Sequence, residues 1–494
     1  MTSVGLPART RWFVPGRIFT ALAAVAMALA AVFSGMSAGG SDKRMVVLPI
    51  AIAVVGVLAV LACTRFSVFV LLVLGVRSSI DLFKLSGSSA GNTATNTASR
   101  GLDPSSMLGA LFLLAAALWL CAQYFDTGHL RGSRLRLALV SFGAVGLIGV
   151  TGSAAQLVSL LEWLRIASVV MMYVVLEQLI SSDLMLRRVL TTAYVSLLFP
   201  LVYTLYTMAA GNPASEVKGS FTRITGPFSQ ANTFSRYLAF MIVFGVAILP
   251  HLSRRAKLVM AGLLSLSSVF LVLTLTRGAL IATVFGIIVI AIVERRKALL
   301  AGLCAAVLAA AIALPGVSSR FAELGSSRNI GGTPTGNTLQ WRLDYWTEVL
   351  PLANSNPITG IGLNMTQYNT DAAKQPHNDF IRAYVEMGVL GLLTYVAWLA
   401  ALVGNARRAL RAARPQTFEH AVAAGALGCA WCFIVGSAAA NVMSNVVCLW
   451  YLVTFAAAAS FIARGAPSDG VTALADSPVR EDLHLSSVPR PTSD

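Results

Sequence analysis

The chain has 494 residues, of which 56% are hydrophobic and 12% charged, with a mean hydropathy of +0.74. A soluble domain carries about a quarter charged residues, so this composition excludes a soluble globular protein, which would lack a polar coat. The net charge of +16 does not point to nucleic acid, because Lys and Arg sit in short clusters between apolar blocks, as membrane topology signals do.

Each apolar block runs about 17–22 residues, and a helix rising about 1.5 Å per residue crosses a ~30 Å hydrocarbon core in about 20. Backbone inside lipid must satisfy its own hydrogen bonds, which leaves helices or closed barrels. Runs such as Val46 to Leu61 are apolar on every face and lack the alternation of a barrel strand. The stretch from Ile18 to Met36 follows Arg9, Arg11 and Arg17 and is longer than a signal-peptide core, so it reads as an uncleaved first helix. Spans are expected near 18–37, 45–63, 66–83, 107–125, 136–153, 158–180, 189–210, 233–250, 258–275, 278–293, 298–314, 380–403, 421–440 and 446–463. The expected fold is an all-α, polytopic transmembrane helix bundle of about 12–14 spans with one large, partly helical extracytoplasmic loop.

Basic clusters fall on alternate loops: Arg131/Arg134/Arg136, Arg187/Arg188, Arg254/Arg255/Lys257, Arg295/Arg296/Lys297 and Arg407/Arg408/Arg411/Arg414. They define one side as cytoplasmic, and the N-terminal arginines and Arg464 place both termini there. The expected organisation is a cytoplasmic N-terminus (1–17), an N-terminal transmembrane bundle (18–314), a large extracytoplasmic loop (315–378), C-terminal transmembrane helices (379–463) and a disordered cytoplasmic tail (464–494). The outward loops are 77–106, 211–232 and 315–378. The last, at roughly 60 residues, far exceeds the usual 2–8-residue helix connection. Cys63, Cys121, Cys304, Cys429, Cys432 and Cys448 all lie in apolar blocks. Cys429 and Cys432 have CxxC spacing but no second pair or nearby His, so they read as small buried hydrophobes.

The outward loops carry an unusual set for that side: Arg223 and Asn232, Arg277, Arg342 and Trp346, and His377 with Asn378. Arginine is normally thin there. Each has a bland reading: a span-end arginine snorkels to lipid phosphate, and Arg342 and Trp346, four apart on a helix, can simply stack. As a set they suit a diphosphate, because the guanidinium fork matches phosphate oxygens and can neutralise a departing diphosphate without metal. No Asp-x-Asp metal site occurs on these loops, and neither metal nor cofactor is expected. His377, the one outward histidine, could take a proton from an attacking hydroxyl. Trp341, Tyr345, Trp346 and Tyr368 can stack on sugar faces or pack internally.

These pieces resemble the O-antigen ligase and O-antigen polymerase superfamily of bacterial envelope enzymes. They are Arg223-x-x-Gly226 running to Asn232, Thr-x-Thr-Arg277-Gly, Arg342-x-x-x-Trp346, Asn356-Pro357-Ile-Thr-Gly360-Ile-Gly362, and His377-Asn378 followed by Glu386-x-Gly388-x-x-Gly391. The resemblance extends from about Arg223 to Leu393. It implies a metal-independent membrane glycosyltransferase that joins a glycan carried on undecaprenyl diphosphate to an acceptor sugar hydroxyl. The acceptor would be a glycan or lipid A core, at the outer (periplasmic) face of the bacterial inner membrane, with other polysaccharide assembly proteins as neighbours. It also implies that Arg277 and Arg342 hold the diphosphate and that His377 is the catalytic histidine. Arg223 would be a third positive site residue or a loop anchor. Asn378 and Glu386 would orient His377, or cap and pack the following helix, where Glu386 can also pair with Arg382. The shared motifs do not separate polymerase from ligase; the 77–106 loop and the extra spans lean toward polymerase. The alternative is a transporter of polysaccharide or lipid-linked oligosaccharide, whose marks are repeats and midplane polar residues. Here the spans are mostly free of charge, with Glu162, Arg165 and Glu177 as exceptions in one helix. A non-catalytic scaffold in an assembly complex is the third reading.

Overall fold

A computed structural model describes residues 54, 56–83, 104–218, 221–313, 319, 329–330, 333–334 and 338–465. The expected span 18–37, most of 45–63, and the tail beyond Gly465 lie outside the described residues. Among the described residues, nine helices are long and apolar enough to cross a membrane. They are α2 (Pro104–Thr127), α3 (Arg134–Thr151), α4 (Gln156–Leu179), α5 (Asp183–Ala209), α6 (Ala231–Ile248), α7 (Arg254–Leu273), α11 (Asp379–Ala412), α12 (Phe418–Ala438) and α13 (Val446–Ala463). Shorter apolar helices are α1 (Phe66–Val76), α8 (Arg277–Val293) and α9 (Lys297–Ala313), and α10 (Thr338–Val349) lies in the large loop. The chain is thus an all-α polytopic membrane protein.

Helix α13 is apolar all round and almost wholly buried, so it forms the centre with α6 and α12. Its run from Ala456 to Ala459 is small enough to let neighbouring helices approach. Helices α2 and α7 leave Leu114, Leu118, Leu258 and Val259 exposed, which is the signature of a lipid-facing rim.

The basic clusters gather at one end. Arg131 N–H donates to Gln178 Oε1 at 2.8 Å. Arg136 and Arg464 both approach Glu177 at 4.0 Å, and Arg187 lies over Phe418 at 4.6 Å. Glu294 receives Arg296 at 3.2 Å and His420 at 2.7 Å. The alternation in the sequence therefore corresponds to a shared end. The described part of the large loop lies at the opposite end, where Ser159 Oγ donates to Leu363 O at 2.8 Å.

One expectation needs correction. The span expected at 66–83 is only an 11-residue helix, α1, followed by a turn and a 3-10 segment, Ile80–Phe83. It stops inside the bundle because polar partners await it there. Pro200 within α5 has no N–H to return to the carbonyl of Ser196, and Ser78 Oγ donates to that oxygen at 2.7 Å. Arg77 pairs with Asp81 at 3.2 Å and lies 5.7 Å from the Trp450 ring. The outward loop 211–232 contains an antiparallel hairpin, β1 (Ser215–Lys218) and β2 (Phe221–Ile224).

Helix α11 is broken at Gly388 (φ 67°, ψ −165°), and the large loop enters the break. The N–H groups of Ile361 and Gly362 donate to the carbonyls of Val385 (3.0 Å) and Glu386 (3.1 Å). Val389 and Leu390 return N–H bonds to Pro357 (2.8 Å) and Ile358 (3.4 Å). The two glycine-bearing motifs thus form one backbone clasp. A Cβ at Gly388 would stand 2.2 Å from Ile358 O, and one at Gly360 would stand 2.3 Å from the Glu386 carbonyl carbon. Glycine is required at both positions by space as well as by φ.

Ser78→Ala should lower stability by about 1–2 kcal/mol, since it leaves the buried Ser196 carbonyl short of a partner. This would read as a lower melting midpoint in detergent, and an unchanged midpoint would refute the tie. Gly388→Ala should open the clasp at more than about 1–2 kcal/mol, the usual penalty of a left-handed non-glycine residue plus a clash. Limited proteolysis in vesicles should then cut within 356–362 while helix content is kept; equal protection in variant and parent would contradict this.

Candidate functional site

The clasp carries the loop onto the end of the bundle, and side chains then fix the segment that leads into α11. The Glu386 carboxylate is fully buried; it accepts from Asn364 N–H at 2.7 Å and Thr366 Oγ1 at 3.0 Å and pairs with Arg382 Nε at 2.9 Å. Arg382 also pairs with Glu162 of α4 at 2.9 Å and donates to Ser444. Ser444 donates to Gln375 Oε1 at 2.9 Å, and Gln375 Nε2 donates to Asn364 Oδ1 at 2.7 Å. Trp346 Nε1 donates to Pro376 O at 2.7 Å, and Tyr345 donates to Lys374 O. Residues 374–376 are therefore held from α10, from the loop and from the α12–α13 link.

His377 follows them in the left-handed region (φ 55°), a conformation that needs support from its surroundings. Asn378 is the N-cap of α11, its Oδ1 accepting from Phe380 N–H (2.9 Å) and Ile381 N–H (3.2 Å). The His377 ring is half-buried, with Trp341 edge-on at 6.1 Å and Asn441 Nδ2 at 3.3 Å from Nδ1. Trp341 in turn stacks on Tyr345 at 5.0 Å and carries the Lys374 ammonium at 5.1 Å.

Arg277 begins α8, immediately after the turn that contains Thr274 and Thr276. Arg223, only 2% exposed, braces that turn. Its Nε donates to Thr274 O at 2.8 Å, and its Nη2 donates to Thr276 Oγ1 at 2.6 Å and Asn232 Oδ1 at 2.7 Å. Nη1 pairs with Glu216 of β1 at 3.1 Å. Arg223 and Asn232 thus tie the hairpin, the α8 turn and the start of α6 together.

Arg342 lies half-buried on α10, and among the described residues no ion pair or hydrogen bond holds its guanidinium. Burial first, and the nearby charge of Arg236 second, hold its pKa below the ordinary arginine value. Arg236 was not among the residues singled out from the sequence, because it falls within an apolar span. A charge inside a span was the signal that could have found it. Its Nη1 donates to Asn441 O at 3.1 Å.

The first turns of α6 join the two groups. Asn232 reaches the turn before Arg277, whereas Thr233 Oγ1 donates to Asn445 Oδ1 at 2.7 Å and Arg236 reaches Asn441 beside His377. Asn232 and Arg236 are one helical turn apart, about 6 Å. Of the residues singled out, His377, Trp346, Asn378 and Glu386 belong to one assembly, to which the field of Arg236 joins Arg342. Arg223 and Asn232 belong to the adjoining brace beneath Arg277. Cationic side chains beside a histidine, walled by Trp341 and Tyr345, can hold a polyanion and move a proton. Among the described residues, no three His, Cys, Asp or Glu side chains group as metal ligands.

No curated protein matches the chain. A family model described as O-antigen ligase matches residues 262–396, which takes in Arg277, Arg342, the clasp and His377. That segment is therefore similar to the O-antigen ligase family, which implies an O-antigen ligase/polymerase-type membrane glycosyltransferase.

Proposed function

We propose that the protein transfers a glycan from undecaprenyl diphosphate to a sugar hydroxyl of a glycan or lipid A core acceptor. The basic end of the bundle lies in the cytoplasm with both termini, and the site end faces outward from the inner membrane. The observation that carries this reading is the arrangement of His377, which lies in a rigidly held segment beside Asn441 and Trp341, with Arg236 and Arg342 in the same assembly.

In the reaction, the acceptor oxygen attacks the anomeric carbon and the bond from that carbon to the phosphate oxygen breaks. The electron pair leaves with undecaprenyl diphosphate. His377 takes the hydroxyl proton, and Arg277 and Arg342 meet the charge that grows on the diphosphate. Trp346 holds Pro376, Asn378 caps α11 and Glu386 fixes the loop, so these three shape the site from behind. Arg223 and Asn232 serve Arg277 in the same way.

His377→Ala should lower glycan joining by about 10²–10⁴-fold, the usual contribution of a positioned acid or base. Arg277→Ala and Arg342→Ala should each lower it by about 10²–10³-fold, the scale of a lost charge-stabilising donor. All three should still insert and melt near the parent. Arg223→Ala should instead lower the melting midpoint. Parent-level joining in both His377→Ala and Arg277→Ala would sink the proposal, as would transport of a labelled lipid-linked glycan without joining. Glycolipids of a deletion strain separate the two enzymes: single repeats indicate a polymerase and long unattached chains a ligase.

A further inference from the structure

Asn441, in the link between α12 and α13, is fixed more firmly than a loop residue usually is. Its carbonyl accepts from Arg236 Nη1 (3.1 Å) and Asn445 Nδ2 (2.9 Å). The next two N–H groups, of Val442 and Met443, donate to Asp379 Oδ2 at 2.9 and 3.0 Å. The carboxamide is therefore held against the His377 ring, where it lies 3.3 Å from Nδ1, and the residue is 8% exposed. With Nδ2 toward the ring, Oδ1 of Asn441 is buried without a partner.

A half-turn of the carboxamide exchanges its two ends and leaves the backbone where it is. Oδ1 then accepts from Nδ1–H of His377, and Nδ2 takes the buried place that Oδ1 held. The consequence for the ring is decisive. If Nδ1 accepts from Nδ2, the neutral ring carries its proton on Nε2, which then cannot receive another. If Nδ1–H donates to Oδ1, Nε2 presents its lone pair.

We infer that Asn441 is a positioning residue that fixes His377 in the Nδ1–H tautomer, so that Nε2 is the atom that takes the acceptor's proton. The inference rests on the reading of His377 as the base. A neutral carboxamide orients the ring without adding negative charge to a site meant for an anion. Among the described residues, the charged groups tied to this cluster include Arg236 from α6, Arg342 from α10, Lys374 from the loop and Asp379 from α11, whose Oδ2 is given to backbone N–H groups.

The test uses the full chain in lipid nanodiscs. With ¹⁵N-labelled histidine, the His377 ring signals, identified by their loss in His377→Ala, should report the Nδ1–H tautomer. A dominant Nε2–H tautomer overturns the inference without any substitution at 441. Asn441→Ala should lower joining roughly 10–100-fold, the usual effect of losing a partner that orients an active imidazole. Asn441→Asp should retain more activity than Asn441→Ala and move the acid limb of the pH–rate profile to higher pH, because an adjacent carboxylate favours the protonated ring. Equal losses in both variants with an unmoved acid limb would mean that Asn441 only packs. If His377→Ala keeps joining activity, the base reading fails, and the tautomer measurement still decides the role of Asn441.

Discussion

Four backbone hydrogen bonds join residues 357–362 to α11 on either side of Gly388. A helix interrupted about 13 Å from its start, nine residues in, would leave donors and acceptors unsatisfied in or near lipid. The loop supplies the missing partners, and in exchange the helix fixes where the loop lies. Everything nearer the proposed chemistry hangs from that exchange. Glu386, beside the break, gathers Asn364 and Thr366, and Arg382, one turn before it, reaches Glu162 and Ser444. Only then are residues 374–377 immobilised over the end of the bundle.

The polar residues divide into two populations with different work. Arg223, Arg382, Glu386 and Glu162 are buried and paired, and removing one partner of such a set leaves an uncompensated charge. They define geometry. His377, Arg277 and Arg342 are only half-buried, so a ligand can reach them. The same residue types thus serve opposite ends, and burial separates them where identity does not.

That distinction marks what a sequence can and cannot show. Among the described residues, most of the spans are legible because hydrophobic length is a one-dimensional property, and the shared basic end is legible because charge alternation follows chain order. Helix α1 is not legible: its early stop depends on the carbonyl that Pro200 frees on α5, more than 100 residues away. The role of Arg223 is equally hidden, since an arginine in an outward loop looks the same whether it meets a ligand or braces a turn. Both readings of Glu386 and Asn378 could be written down beforehand, and the contacts with Asn364, Thr366, Phe380 and Ile381 show the packing and capping one. Arg236 escaped notice because its flanks, Phe234 and Tyr237 to Phe240, dominate any hydropathy window.

The two ends of the bundle differ in how their charge is balanced. At the basic end, Glu177 and Glu294 sit among Arg136, Arg464, Arg296 and His420, so positive charge is answered within the protein. At the site end several acids are committed elsewhere. Glu216 is paired with Arg223, Glu162 and Glu386 with Arg382, and Asp379 spends an oxygen on Val442 and Met443. Burial first, and the charge of Arg236 second, act on the half-buried Arg342 and hold its pKa below the ordinary arginine value. An anion beside Arg342 would offset the repulsion that the charge of Arg236 exerts on it. A diphosphate at the membrane surface would relieve that repulsion, and it would relieve it further as charge accumulates during departure of the lipid carrier. The preference for the later, more charged state is what a catalyst of glycan transfer requires of its arginines.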